Sequence, residues 1–201
     1  MSEISSILPF FPLRMLLLPK EQVPLYIFEP RYLQLFDELE KEKKQFVLPY
    51  EGRNKVRLGS LCRLVSVTKV HEDGALDVLV ECDAVFDVKS IMPKFPGKLY
   101  PGGMVGAHKE IHDSDVIPLD TLNEFSRFIE RKHGETPRLE SIQHYSSMDI
   151  AACLALKNED KVRILMADSE QSRQRIVKNQ LKYLNFLLDQ EESSENGIIL
   201  N

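Results

Sequence analysis

Leu8-Pro9-Phe10-Phe11-Pro12-Leu13-Arg14-Met15-Leu16-Leu17-Leu18-Pro19, followed by Val23-Pro24-Leu25-Tyr26-Ile27-Phe28-Glu29-Pro30-Arg31-Tyr32, is the stretch whose reading decides the fold of this chain. Proline has no N–H for a central sheet ladder, so Pro9, Pro12, Pro19 and Pro24 cut the stretch into short extended pieces, over about 13–18 and 24–28. The apolar run 15–18 predicts a strand covered on both faces. It is far too short to cross a bilayer, which needs about 20 apolar residues. The period then changes from two to that of a helix. Glu29 is placed to be the N-cap, Pro30 takes the tolerated first helical position, and Phe28 is positioned to staple onto Leu33. Tyr32, Leu35, Phe36 and Leu39 recur on one face, while Asp37, Glu38, Glu40, Lys41 and Lys43 take the other. A helix over 30–44 is expected.

At 201 residues the chain is long enough for one large domain or two small lobes with a real core. Its 43% hydrophobic and 28% charged residues are ordinary for a globular protein. The net charge of −5 is spread evenly along the chain, so no basic face is implied and a nucleic-acid partner is not expected. No basic segment precedes Ser2 to Ser6 and the first apolar run is broken by prolines, which is not the pattern of a signal peptide. Cys62, Cys82 and Cys153 are odd in number and widely spaced, reading as small buried hydrophobes in a reducing compartment. A cytoplasmic location, with no membrane segment, follows as the expectation.

Further along, 46–50 predicts a short strand ending at a proline, and 53–57 a charged loop. Residues 58–70 alternate with the period of two of a strand. Asp73-Gly74 is a hairpin turn signal, and the runs 75–82 and 85–91 are expected to continue a meander. A Pro/Gly-rich connection, 92–103, leads to a last extended run, 104–111, and an acidic turn at Asp113-Ser114-Asp115. Such connections close small barrels or cover their edges. From Arg138 to Asn196 there is neither glycine nor proline, which predicts helices. Thr121 with Glu124 has the form of a capping box opening a helix that Gly134 stops after His133. Leu122, Phe125, Phe128 and Ile129 form its apolar face. Shorter helices are expected near 138–145, 148–156 and 159–167. The longest begins at Asp168 or Ser169 and carries a stripe of Ile176, Val177, Gln180, Leu181, Leu184, Leu187 and Leu188. Arg173, Arg175, Lys178 and Lys182 read as its wet face. The pattern divides the chain into a β-rich lobe over 7–118, a helical lobe over 119–191 and a flexible tail over 192–201.

No reaction chemistry can be assembled from these residues. His108 and His112 are four apart, as metal-binding histidines on a helix would be, but the segment reads extended and Lys109 stands where a zinc protease has glutamate. Asp113 and Asp115 read as a solvated turn. Gly97-Lys98 lacks both the upstream glycine and the following hydroxyl of a phosphate loop. There is no Gly-x-Ser-x-Gly elbow and no Cys-x-x-Cys pair. No nucleophile, base and orienting group come together, so no enzymatic activity, metal or cofactor is expected.

The opening stretch, Leu13-Arg14-Met15-Leu16-Leu17-Leu18-Pro19 with Val23-Pro24-Leu25-Tyr26-Ile27-Phe28-Glu29-Pro30-Arg31-Tyr32, resembles the start of the N-terminal, substrate-binding domain of the ATP-dependent Lon protease. Leu58-Gly59-Ser60-Leu61-Cys62-Arg63-Leu64 and Asp73-Gly74 resemble that family's second block, and the resemblance covers about 7–190. The family's glycines stand as Lys20 and Cys82 here, and a frequent arginine as Val85. The resemblance implies an α+β fold: a PUA-like antiparallel β-pseudobarrel lobe followed by a C-terminal helical bundle lobe. In Lon this domain helps recognise unfolded or tagged substrates and contributes to assembly, and a similar domain occurs in cereblon. Lon's Walker motifs and Ser–Lys dyad lie in later domains, so the implied function is a stand-alone, non-catalytic protein- or peptide-recognition module. Its implied partners are unfolded or extended polypeptide segments and a protease or chaperone, with no nucleic acid and no membrane. An RNA-binding protein of the PUA-like kind and a small-ligand-binding protein remain the alternatives. The candidate peptide-binding residues are Glu29, Arg31, Phe95 and Tyr100. Against that role, Glu29 would serve as a helix cap, Arg31 as a partner for a nearby carboxylate, and Phe95 and Tyr100 as cover for the barrel edge.

Overall fold

In a computed structural model of the chain, residues 6–52, 56–108 and 116–198 are described. They form two compact units, the first comprising Met1–Ile111 with Ala155–Val162 and the second His112–Leu154 with Arg163–Asn201.

The centre of the first unit is the hairpin of β4 (Arg57–Val70) and β5 (Leu76–Met92). Its turn is made as the sequence predicts. Gly74 has φ 84, a left-handed conformation that costs glycine little, and the Asp73 carboxylate accepts from the Ala75 N–H at 3.1 Å. β5 departs from expectation. Instead of two strands, it is one strand of 17 residues that runs through Cys82 and Asp83 without turning. Register shifts against β4, one of them between Leu61 and Cys62, mark the bulges that bend it. The bend lets one strand serve two neighbours on the same side. Its first half pairs with β2 (Gln22–Ile27), from Gln22↔Glu81 to Ile27↔Leu76, and its second half with β6 (Gly102–His108).

Antiparallel pairing gives the order β1-β6-β5-β4-β3, where β1 is Ser6–Pro9 and β3 is Gln45–Glu51. The two ends of that order then meet. Phe10 forms a parallel bridge with Val47 of β3, and the Phe11 N–H donates to the Val47 carbonyl at 2.8 Å. The sheet therefore closes on itself as a pseudobarrel, around a core of Phe10, Val47, Val88 and Val105. Gly103 allows this closure. A Cβ there would lie 2.3 Å from the Phe10 ring, so the ring occupies the space that any other residue would need.

Residues 13–18 correct the sequence reading. Leu16, Leu17 and Leu18 are fully buried, yet they form no strand. Their backbone groups are satisfied by side chains from elsewhere. The Leu16 N–H donates to Asn158 Oδ1 at 3.0 Å, the Leu17 N–H to Ser60 Oγ at 2.9 Å, and the Leu18 N–H to Glu21 Oε2 at 2.9 Å. The Lys161 ammonium donates to the Leu16 carbonyl at 3.0 Å and pairs with the Glu21 carboxylate at 2.5 Å. The Ser60 hydroxyl donates to the Leu17 carbonyl at 2.9 Å. Buried peptide groups must find partners, and here they find them outside any ladder. At the end of this segment Lys20, standing where the family that the sequence resembles has glycine, has φ 69.

The first helix, α1 (Pro30–Glu42), packs Tyr32, Leu35, Phe36 and Leu39 inward, as the period predicts. Phe11 meets Tyr32 and Phe36 at ring separations of 4.4 and 5.6 Å. Two capping expectations change. Glu29 occupies the N-cap position but its side chain makes no cap bond, because its carboxylate is taken by Arg31. Phe28 is 61% exposed and stacks 5.7 Å from Tyr26.

Among the described residues of the second unit, α2 (Leu119–His133) ends at Gly134, whose N–H donates to the Glu130 carbonyl at 2.7 Å. The expected Thr121–Glu124 capping box does not form. Pro118 is the N-cap, and the Glu124 carboxylate instead accepts from Asn185 Nδ2 at 2.9 Å. After α3 (Leu139–Ile142), a reciprocal capping box does open α4 (Ser147–Cys153), between Ser146 and Asp149. α5 (Asn158–Leu165) belongs as far as Val162 to the first unit, and α6 (Glu170–Ile198) to the second; at its start Ser169 Oγ accepts from the Ser172 N–H at 3.2 Å. α6 extends further than the sequence pattern predicts. Its inward residues at a spacing of four are Arg173, Val177, Leu181 and Asn185. Arg173, expected on the wet face, is 5% exposed and paired with Glu170, while Leu187, expected in the apolar stripe, is exposed beside Tyr183 and Phe186. Cys62 and Cys82 are buried as expected, and Cys153 is exposed. No helix of the described residues is long and apolar enough to cross a membrane.

Candidate functional site

The line of closure that makes the barrel also leaves a gap in it. Phe10 and Phe11 pair with Val47, but at Pro12 the chain leaves the edge of β3. Proline has no N–H to extend the pairing, so the departure is set by the sequence. Between the diverging segments lies a cleft of about 630 Å³. Pro12, Leu13 and Arg14 form one wall, Pro49, Tyr50 and Glu51 at the end of β3 form the other, and Val88 and Ile91 of β5 complete the apolar lining. Such a volume is within the usual range of ligand pockets.

The first wall is held by Asn158. Its Nδ2 donates to the Arg14 carbonyl at 3.0 Å while its Oδ1 accepts from the Leu16 N–H, a bidentate clamp on an otherwise irregular segment. Arg57, the cross-strand neighbour of Glu51 on β4, pairs with it at 3.4 Å beside the cleft, both more than half exposed. The Arg14 guanidinium is exposed and has no hydrogen-bond or ion-pair partner among the described residues. The cleft thus offers apolar surface, one internally balanced ion pair and one exposed cation with no partner among the described residues.

The four residues singled out from the sequence lie elsewhere and form two pairs. The Glu29 carboxylate accepts from Arg31 Nε and Nη2 at 3.0 and 2.7 Å, and the Arg31 guanidinium lies 4.6 Å from the Tyr32 ring centroid. Phe95 and Tyr100 belong to the connection between β5 and β6. The Phe95 N–H donates to the Tyr100 carbonyl at 2.7 Å, and the two rings are 5.9 Å apart. Tyr100 is only 3% exposed, and its hydroxyl donates to Glu38 Oε2 at 2.7 Å. Lys98 Nζ reaches Glu38 Oε1 at 2.9 Å, and the Leu99 N–H donates to Gln34 Oε1 at 3.1 Å. Burial, and then the hydrogen bond and charge of Glu38, push the Tyr100 hydroxyl above its ordinary pKa. Burial of Glu38 works to raise its pKa, but the bonds from Lys98, Tyr100 and Gln34 outweigh it and hold the carboxyl below its usual value. The connection is in this way latched to α1.

None of these four lines the cleft. The residues that do line it were missed in the sequence reading; the one signal that could have pointed to them is Arg14, the single charge in an otherwise apolar run. The partner wall is 35 or more positions away, and no local pattern joins the two. The histidine and aspartate candidates fall mostly beyond view: His108 ends β6, while His112, Asp113 and Asp115 lie outside the described residues. Among the described residues no group of His, Cys, Asp or Glu is arranged to hold a metal ion.

Solved structures place this architecture in a class. It is similar to a Lon N-terminal domain protein from Xanthomonas campestris, with 20% identity, 89% of this chain and 98% of that chain covered, and a TM-score of 0.60. It is also similar to the N-terminal domain of the Mycobacterium avium complex Lon protease, with 12% identity, coverage of 88% and 98%, and a TM-score of 0.57. At these identities the likeness is one of fold. No curated protein matches the chain. The family model of the ATP-dependent protease La (LON) substrate-binding domain matches residues 7–182, and the chain belongs to that family.

Proposed function

We propose that this chain is a non-catalytic module that binds extended or unfolded polypeptide segments in the cleft beside β3. The observation that carries the reading is the cleft itself, an apolar-lined opening of about 630 Å³ next to a strand edge that the chain leaves uncovered at Pro12. Membership of a substrate-binding family supports it. An extended segment satisfies its backbone on such an edge and its side chains in such a lining. The candidates Glu29, Arg31, Phe95 and Tyr100 fit a supporting role better than a contacting one, since each is engaged within its own pair.

Fluorescence anisotropy with a labelled, permanently unfolded polypeptide tests the reading. Binding in the micromolar to submillimolar range is expected. Leu13→Glu and Ile91→Glu put charge into the apolar lining and should each weaken binding by about tenfold or more. Ile91 is 55% exposed, so Ile91→Glu should leave folding intact. No binding up to about millimolar polypeptide would overturn the proposal. Turnover of ATP or casein by the pure protein would overturn its non-catalytic part.

A further inference from the structure

Within that reading, we infer that the cleft selects a segment in which an acidic side chain stands close to an apolar one, bound as a short added strand on the outer edge of β3 with its carboxylate on Arg14. Two observations of different kinds lead there.

The first is the direction of the backbone groups. The Val47 carbonyl accepts from the Phe11 N–H, so Val47 turns its peptide groups toward the outer edge of β3. In an antiparallel strand the N–H and C=O of one residue point to the same side, and the side alternates along the strand. Pro49 and Glu51 therefore face that same outer edge, while Leu48 and Tyr50 face β4. The edge beyond the Phe10 bridge thus presents the Pro49 carbonyl and both peptide groups of Glu51. Pro49 lacks an N–H where none is used by β4, as expected of a proline in a sheet. An incoming strand can add to these groups for a residue or two.

The second is charge. Arg57 is balanced by its cross-strand neighbour Glu51, whereas Arg14 has no partner among the described residues and is exposed beside the cleft. The cation sits on a chain whose net charge is −5, so no general attraction for anions competes with it. Guanidinium pairs with carboxylate in a planar, bidentate geometry, and the neighbouring Leu13, Tyr50 and Ile91 receive an apolar side chain. The volume exceeds what a single side chain fills, which favours a segment over a lone terminal residue.

The test uses two short fluorescent peptides, blocked at both ends, that differ only in Asp against Asn beside a leucine. The Asp peptide should bind the wild-type chain about tenfold tighter than the Asn peptide, and raising the salt should shrink the gap. In Arg14→Gln, whose side chain is exposed and away from the core, the two peptides should bind equally, with the Asn peptide unchanged from wild type. N-methylation of the peptide backbone beside the leucine should weaken both peptides alike. Equal binding of the two peptides by the wild type, or an Asp preference that survives in Arg14→Gln, would overturn the inference. So would a preference for the Asn peptide once its C-terminus is left free, which would mean that a terminal carboxylate is the ligand. If an unfolded polypeptide binds but these peptides show no dependence on Arg14, only the inference fails. If neither binds, the functional reading fails with it.

Discussion

The β4–β5 hairpin and the segment 13–18 are both apolar, and both reach the core, but they satisfy their backbones in opposite ways. The hairpin pairs each strand with its neighbour across a turn of a few residues, so its partners are local and its signal is periodic. The segment 13–18 relies on the side chains of Ser60, Asn158, Lys161 and Glu21, three of them more than 40 positions away. A ladder tolerates the change of almost any exposed side chain along it. A segment held by four particular side chains does not.

The sharpest way to break that contrast is at Lys161. Its ammonium is buried against Glu21 and the Leu16 carbonyl, so Lys161→Ala leaves a buried carboxylate without its counter-ion and a carbonyl without its donor. A loss of about 3–5 kcal/mol is expected in urea unfolding. Lys161→Met combined with Glu21→Gln removes both charges and should cost clearly less than Lys161→Ala alone. On the hairpin, Thr68→Ala, at an exposed position, should change stability by no more than about 0.5 kcal/mol. A similar loss at both sites would refute the distinction.

The latch between Glu38 and Tyr100 gives a second, smaller effect with a definite sign. The folded-state pKa of Glu38 lies below its ordinary 4.5, so its contribution is complete above about pH 4.5 and is lost as the pH falls through the folded value. The folded-state pKa of Tyr100 lies above its ordinary 10.0, so its contribution is complete below about pH 10 and is lost as the pH rises through the folded value. Thermal unfolding across pH should therefore show two shoulders, one acid and one alkaline. Glu38→Gln should flatten the acid one and Tyr100→Phe the alkaline one. If the acid shoulder persists in Glu38→Gln, the latch is not its source.

The smallest expected effect is a gain. Lys20 holds φ 69, a conformation that costs an L-residue about 1–2 kcal/mol and glycine little. Lys20→Gly should relieve that strain, offset by the greater freedom of glycine in the unfolded chain, for a net stabilisation of about 0.5 kcal/mol. A destabilised variant would mean that the contacts of the lysine side chain outweigh the backbone.

How much could be read in advance follows from the same contrast. The Asp73-Gly74 turn, the inward face of α1 and the stop of α2 at Gly134 were legible because each depends on residues within one or two turns of each other. The capping roles of Glu29 and Glu124 were misread because a stronger partner lay in reach, Arg31 for one and Asn185 for the other. Arg173 was misread because a charge is assigned to the wet face by default, and only its neighbour Glu170 makes burial tolerable. Of the candidate site nothing was singled out in advance, although Arg14 is the one charge in an apolar run.

By itself the sequence determined the family, the helical character of the chain after Pro118, the central hairpin and the apolar face of α1. Those depend on period, turn chemistry and proline placement, which act over a few residues. Only the tertiary structure decided that β5 is one bent strand shared by β2 and β6, that Leu16 to Leu18 are buried without being a strand, and that closure at Phe10 and Val47 leaves a cleft past Pro12. The physical reason is reach. A buried peptide group needs some partner, but nothing local to Leu17 indicates that the partner is the hydroxyl of Ser60.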